Sequence, residues 1–231
     1  MLKVRQFRYG EDNLGYIVHG EREAVAIDPG GVGAVLGYLG QHGLTLKSIR
    51  NTHSHSDHTG GNRQLAKATG SRVVDPNAPG DFELEGELIK VIPVPGHTLD
   101  SVAFYYPGWV ISGDTLFIAN VGNCLSERLN IFRGSLQRLL ALPEETVVYP
   151  GHDYTERSLL RAEEIEPDNP DREKFHRDYC PPPVISTIGD EKRINPYLRS
   201  DHPVVIAYLK RTGRPAATSE ERFRSMVIGD Q

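Results

Sequence analysis

Residues 51–62 read NTHSHSDHTGGN and crowd four side chains that commonly bind metals into six positions: His53, His55, Asp57 and His58. His53 and His55 are two residues apart, so on an extended segment both face the same side and can reach one ion. Asp57 and His58 are adjacent, and the glycine pair after them permits a tight loop that turns both toward a second ion. Three imidazoles this close repel one another once protonated. The stretch therefore predicts a metal site.

Three later segments repeat one pattern, in which an apolar run is followed by a glycine and then by a potential ligand. IPVPGHT ends near His97, VISGDT near Asp114 and VVYPGHD near His152. If the apolar runs are strands in register, all these loops meet at one edge of a sheet. Seven ligands exceed the three or four that one zinc ion needs. They suit a two-metal site with ions about 3.5–4 Å apart and one shared carboxylate.

The first part of the chain alternates short apolar segments with helical ones, which predicts an α/β fold. The predicted strands are LKVRQFRY, GYIVHG, AVAID, LKSIRNT, SRVVD, ELIKVIPV, SVAFYYPG, WVISGD and TVVYPGHD. The predicted helices are VGAVLGYLGQHG, GNRQLAKATG and SLQRLLALP. Ser135 is the expected N-cap of the last helix.

The composition changes after residue 157, where the chain becomes charged and helical. RSLLRAEEIEPDNPDREKFHRDY and NPYLRSDHPVVIAYLKR are predicted helical pieces, and the prolines of CPPPVIST exclude a regular helix between them. We therefore expect a catalytic domain over residues 1–157 and a helical substrate-binding region over residues 158–231.

Charge and composition exclude several classes of protein. The net charge of −5 argues against a general nucleic-acid binder, which needs a basic face. No apolar run approaches the ~20 residues of a membrane helix. The N-terminus lacks the features of a signal peptide, and the two cysteines do not form a disulfide framework. We expect a cytoplasmic protein without nucleic-acid or membrane partners, either a monomer or a homodimer.

The order T-H-x-H-x-D-H, G-H-T, G-D-T-L-F and G-H-D-Y-T resembles the metallo-β-lactamase superfamily. Within it, the chain is most similar to glyoxalase II, the hydroxyacylglutathione hydrolases. STIGDEKRINPYLR resembles that family's C-terminal signature, in which an acidic residue precedes N-P-F-x-R. The resemblance spans roughly residues 10–200 and implies an αββα sandwich with a small helical C-terminal region.

The resemblance also implies a role for each ligand. His53, His55 and His97 would hold the first metal; Asp57, His58 and His152 would hold the second. Asp114 would bridge the two ions. Zinc is the expected metal, with iron and manganese left open because the same ligands accept them. Asp28 is expected either to support a ligand or to cap a turn.

The implied reaction is hydrolysis of S-D-lactoylglutathione or a related acyl thioester to a hydroxy acid and a thiol. A water between two cations becomes a hydroxide near neutral pH and attacks the carbonyl carbon. A thiolate with a pKa near 8.5 leaves without a strong general acid. Asp57, which can orient the nucleophile, and Asp114 are the catalytic candidates.

The substrate-binding residues depart from the family pattern. By resemblance, Tyr154 and Arg199 would contact glutathione. Asn123 stands where the family has a basic residue, and extra residues around CLSERLN follow it. Arg128 or Arg133 would replace the missing cation; otherwise the thiol carrier is not glutathione. Cys124 lies in this altered loop and is expected to be buried filler rather than a reactive thiol.

Two other activities fit the same scaffold. An iron-dependent persulfide dioxygenase needs one redox metal on two histidines and a carboxylate, but the C-terminal signature disfavours it. A lactone hydrolase also stays open. A metal-dependent nuclease is disfavoured by the acidic charge balance.

Overall fold

The computed structural model describes residues 1–75 and 80–229. The predicted region 158–231 therefore ends two residues beyond the described part. The first half of the chain forms a five-stranded sheet in the order β1-β2-β3-β4-β5. Its first two pairings are antiparallel and its last two are parallel. The strands are β1 (Lys3–Tyr9), β2 (Asn13–His19), β3 (Glu23–Ile27), β4 (Thr45–Arg50) and β5 (Arg72–Val73).

A second sheet has six strands in the order β13-β12-β9-β8-β7-β6, and a two-stranded hairpin, β10-β11, lies beside it. The strands of the second sheet are β6 (Phe82–Leu84), β7 (Glu87–Pro93), β8 (Val102–Tyr106), β9 (Trp109–Gly113), β12 (Val147–Pro150) and β13 (Ser186–Thr187). The hairpin consists of β10 (Leu116–Phe117) and β11 (Asn120–Val121).

Helices cover the outer faces of both sheets. The first half of the chain contains the helices α1 (Val32–His42), α2 (Ser56–Thr59) and α3 (Asn62–Thr69). The others are α4 (Leu129–Leu140), α5 (Thr155–Ile165), α6 (Pro170–Asp178), α7 (Ile188–Ile194), α8 (Pro203–Arg211) and α9 (Ser219–Ile228). In the described part of the chain, no helix is both long and apolar enough to cross a membrane.

Alternation along β2 explains the layering. Tyr16 and Val18 pack in one cluster with Phe104 and Ile111 of the second sheet, whereas Ile17 packs with the residues under α1 and α3. A third cluster joins the second sheet to the C-terminal helices. Each fully buried Ile or Phe adds about 1.5–3 kcal/mol of hydrophobic stabilisation. The result is the αββα sandwich with a helical C-terminal region that the sequence predicted.

Some local predictions were wrong. Ser135 is not an N-cap, because α4 begins six residues earlier at Leu129. Its buried hydroxyl instead donates to the carbonyl oxygen of Pro95 at 2.7 Å. The NPYLR stretch forms turns, and α8 begins only at Pro203. The predicted domain boundary after residue 157 lies within α5 and stays a prediction.

Candidate metal centre

The predicted ligands follow strand ends that meet at one edge of the sandwich. β4 leads into the loop of His53 and His55, and α2 then carries Asp57 and His58. β9 and β12 pair in parallel, and the backbone N–H of Gly151 donates to Gly113 O at 2.9 Å. That bond places the segments of Asp114 and His152 side by side.

Two groups of three side chains converge, each with its ligand atoms within 4.8 Å of one another. In the first group, His55 Nδ1 lies 2.9 Å from His53 Nε2 and 3.1 Å from His97 Nε2. In the second, Asp57 Oδ2 lies 3.5 Å from His58 Nε2 and 3.4 Å from His152 Nε2. We call these groups the first triad (His53, His55, His97) and the second triad (Asp57, His58, His152).

Asp114 lies between the triads. Its Oδ2 is 3.6 Å from His97 Nε2 and 3.3 Å from His152 Nε2, and its Oδ1 is 3.3 Å from His58 Nε2. All seven predicted ligands are therefore gathered in one cluster, and a single carboxylate reaches both halves.

The donor set fits cations. Three imidazole nitrogens converge in the first triad, and His58 Nε2 faces His152 Nε2 at 3.2 Å. Where such nitrogens face one another through their lone pairs, a cation between them removes the repulsion. Neutral imidazoles together with carboxylates are ligands that zinc, iron and manganese accept.

Two glycines make the close packing around Asp114 possible. A Cβ at Gly151 would lie 2.1 Å from Asp114 Oδ1, and one at Gly122 would lie 1.8 Å from Asp114 O. A side chain at Gly151 would displace the shared carboxylate, and one at Gly122 would displace the backbone that carries it. In the sequence, Gly151 predicted a turn before His152, but it did not predict this close approach to Asp114.

A second layer of groups orients the imidazoles. His58 Nδ1 donates to Asp28 Oδ2 at 3.0 Å, and His152 Nδ1 donates to Asp12 Oδ1 at 2.9 Å. His97 Nδ1 donates to the backbone oxygen of Asn123 at 2.9 Å. These bonds leave each Nε2 facing the cluster. Asp28 is fully buried and supports a ligand, the first of the two roles that the sequence left open.

The β1–β2 hairpin supplies contacts that the sequence did not predict. Asn13 Nδ2 donates to Asp57 Oδ2 at 2.9 Å, and the Tyr9 hydroxyl donates to Asp57 O at 3.0 Å. Asp12 holds His152, as described above. Asp12 and Asn13 looked like ordinary turn residues, and no local pattern marked their role.

The charge states of the cluster follow from burial and its carboxylates. Burial lowers the pKa of His53 to about 4 and also lowers that of His97. Burial opposes charge at His58 as well, but Asp28 and Asp114 outweigh it and raise its pKa to about 11. For buried Asp114, hydrogen bonds from His152 and His58 overcome desolvation and hold the pKa well below its usual value.

A cavity of about 450 Å³ lies beside the cluster, between the β10–β11 hairpin, α5 and the C-terminal helices. Asn123 lines it, and Tyr154 stacks on His152 nearby with ring centroids 4.9 Å apart. The sequence missed Arg157 and Arg161, which also line this cavity. Their only signal was a four-residue spacing on a predicted helix.

The other predicted substrate residues have protein partners away from this cavity. Arg199 donates to both carboxylate oxygens of Glu166, at 3.0 Å from Nε and from Nη2. Arg133 donates to Ser219 Oγ at 2.5 Å and lies 3.6 Å from Asp201. Cys124 is buried in the apolar cluster beneath α4, as expected for filler.

Two family models together cover most of the chain. The metallo-beta-lactamase superfamily model matches residues 10–74 and 70–152, and the hydroxyacylglutathione hydrolase C-terminus model matches residues 153–226. A hydroxyacylglutathione hydrolase from Chromohalobacter salexigens is 38% identical over 92% of each chain. One from a Synechococcus strain is 37% identical over 89% of this chain and 92% of that relative.

Solved structures agree with the fold. The crystal structure of ETHE1 from Myxococcus xanthus superposes with a TM-score of 0.69 at 25% identity, over 99% of this chain and 97% of that one. TTHA1623, in a di-iron-bound form, superposes with a TM-score of 0.61 at 27% identity, over 84% of this chain and 100% of that one. The chain belongs to the metallo-β-lactamase superfamily and, within it, to the hydroxyacylglutathione hydrolase family.

Proposed function

We propose that this protein is a metal-dependent thioester hydrolase of glyoxalase II type. It would convert S-D-lactoylglutathione, or a related acyl thioester, to a hydroxy acid and a thiol. The observation that carries this proposal is the pair of ligand triads joined by Asp114. The hydroxyacylglutathione hydrolases that match nearly the full length of the chain support the substrate class.

The proposed cofactor is a pair of divalent cations, with zinc preferred. The first triad would hold one ion, the second triad the other, and Asp114 would contact both. When bound, the ions would supply an activated water for attack on the carbonyl and positive charge for the developing oxyanion. Iron is the main alternative metal, since the similar TTHA1623 has a di-iron form.

The chain's own residues then position the water and substrate. Asn13 fixes one oxygen of Asp57, whose side chain is about half exposed at the mouth of the cluster. Asp57 is therefore the group we propose to orient the attacking water. The substrate's sulfur leaves as a thiolate, so no further acid is needed.

We propose that Tyr154 and Asn123 contact the substrate, because they lie next to the metal ligands His152 and His97. For Arg199 and Arg133 we propose structural roles instead of the substrate contacts expected from the sequence, because their guanidinium groups are bound to carboxylates elsewhere. The division into a catalytic domain over 1–157 and a substrate region over 158–231 remains part of this proposal, with α5 contributing to both.

Hydrolysis of S-D-lactoylglutathione by metal-loaded protein, with bound metal counted on the same sample, tests the proposal. We expect turnover that rises with metal content up to two ions per chain. A fully loaded protein that leaves this thioester and other acyl thioesters intact would refute it.

A persulfide dioxygenase is the second candidate, because His53, His58 and Asp114 also form a group of two histidines and one carboxylate. The same sample separates the two activities. Oxygen uptake with a persulfide, one bound iron and no thioester cleavage would favour the dioxygenase.

A further inference from the structure

The cavity beside the metal centre is joined to it through the backbone. Asn123, in its wall, accepts the hydrogen bond from His97, and Gly122 packs against Asp114. Its lining includes Asn120, Gly122, Asn123, Arg157, Arg161 and Tyr197. A thioester whose carbonyl lies at the cluster would therefore extend its thiol carrier into this cavity.

The two arginines give the cavity its charge. Arg157 and Arg161 lie four residues apart on α5, so both side chains leave the same face of the helix. Among the described lining residues they alone are charged, and no carboxylate is present. An anionic group that enters this cavity would meet both guanidinium groups on one side, although Arg161 also pairs with Glu164.

Arg157 is held in place without a counter-ion. Its guanidinium carbon lies 3.6 Å from the centroid of the Tyr154 ring, which itself stacks on His152. Within residues 1–75 and 80–229, no carboxylate oxygen lies within 4.0 Å of the Arg157 guanidinium nitrogens. Arg161 contacts Glu164 at 2.6 Å and is more enclosed. A stacked guanidinium without an acidic partner is ready to pair with a ligand carboxylate.

We infer that Arg157 and Arg161 bind a carboxylate of the thiol carrier and make the enzyme selective for anionic carriers. This inference rests on the proposed thioester hydrolysis. The two arginines would replace the basic residue that the family has at the position of Asn123. They lie on α5, which the sequence analysis did not connect with the substrate. The preferred substrates are acyl thioesters whose thiol bears at least one carboxylate.

Two lactoyl thioesters test this selectivity, one of glutathione and one of the neutral thiol N-acetylcysteamine. In Arg157→Gln and Arg161→Gln we expect kcat/KM for the glutathione thioester to fall about ten- to a hundredfold, mainly through KM, because a charge-assisted hydrogen bond is lost. With the neutral thioester, kcat/KM should stay within about twofold of wild type. Arg177→Gln, which changes an exposed arginine on α6 that pairs with Asp178, is the matched control and should alter neither substrate.

The outcomes separate the inference from the function. Equal losses with both thioesters, or no loss with either, would overturn the carboxylate-binding role and leave the hydrolase assignment intact. If loaded wild-type protein cleaves neither thioester, the proposed function fails and the inference falls with it.

Discussion

The two triads contain similar ligands, but different groups support them. In the first triad, His97 donates to a backbone oxygen and His53 Nδ1 lies 3.1 Å from the Thr52 hydroxyl. In the second, His58 and His152 donate to the carboxylates of Asp28 and Asp12. Carboxylate partners increase the basicity of a ligating imidazole. Burial lowers the pKa of His53 to about 4, whereas at His58 the carboxylates of Asp28 and Asp114 outweigh burial and raise the pKa to about 11.

The two triads therefore depend on different parts of the chain. The first triad relies on two neutral groups, the backbone oxygen of Asn123 and the hydroxyl of Thr52. The second relies on side chains from the β1–β2 hairpin and the loop after β3. Substitution of a supporting carboxylate, Asp12 or Asp28, should therefore weaken metal binding at the second triad selectively. Substitution of Asp114 should weaken metal binding at both triads.

The largest effect is expected from Asp114→Ala, which removes the carboxylate that lies between the two triads. We expect fewer than two metals per chain and a fall in turnover of about a thousandfold or more. Metal analysis and thioester assays on the purified variant check this. Asp178→Ala, at an exposed aspartate paired with Lys174, is the control. Two bound metals with normal turnover in Asp114→Ala would contradict the shared-ligand role. His58→Ala should also abolish turnover while leaving the fold largely intact.

Asp12→Ala should weaken metal binding at the second triad only. Loss of its hydrogen bond to His152 is expected to weaken one metal about ten- to a hundredfold and to leave the other unchanged. Titration with a chelator, followed by metal counting, resolves two affinities. Glu11→Ala, next to it in the same exposed turn, should behave like wild type. Equal weakening of both metals would show that the halves are not supported separately.

Thr52→Val tests a side chain that contacts both a ligand of the first triad, His53, and the support of a ligand of the second, Asp28. The Thr52 hydroxyl donates to Asp28 Oδ2 at 2.7 Å and faces His53 Nδ1. Removing it should weaken both metals by about five- to tenfold, the effect of one lost hydrogen bond. Chelator titration is again the measurement. A change confined to one metal would mean that Thr52 does not couple the triads.

Glu191 is a buried carboxyl outside the metal cluster, so its pKa can be compared with those of the buried groups within it. It accepts hydrogen bonds from Ala119 N and Asn195 Nδ2, and burial raises its pKa to about 8. In the unfolded chain Glu191 ionises near pH 4.5, whereas the folded protein keeps the proton until about pH 8. Stability is therefore lost as the pH rises from 5 to 8.

For wild type we expect this carboxyl to reduce the free energy of unfolding by roughly 1 kcal/mol per pH unit over that window. Glu191→Gln should lack this component, so the variant gains stability relative to wild type as pH rises. Denaturant unfolding of metal-loaded protein at pH 6 and 8 measures the difference. Exposed Glu156→Gln is the control, and parallel pH profiles for wild type and Glu191→Gln would contradict the assignment.

The cluster of candidate metal ligands could be predicted from the sequence because its segments come after apolar strands, and strand ends meet at a sheet edge. Their supports could not, because they depend on distant pairing. His152 and Asp12 are 140 residues apart and meet through the contact between Asn13 and His152. Hydrophobic periodicity gives no information on such a contact.

Two C-terminal helices were missed although local signals were present. Thr187 with Asp190 and Thr218 with Glu221 form capping boxes at the starts of α7 and α9. The start of α4 was misplaced because the helix begins in the altered loop and has no side-chain cap. The capping boxes would have allowed α7 and α9 to be predicted. The start of α4 depends on the tertiary packing of Phe132, which the sequence does not show.

The most direct test of the account is anomalous diffraction from crystals of the zinc-loaded protein. We predict two zinc peaks about 3.5–4 Å apart, one within each triad, with Asp114 contacting both. A single peak in fully loaded protein, or two peaks with Asp114 bound to neither, would contradict the two-metal centre on which the proposed function depends.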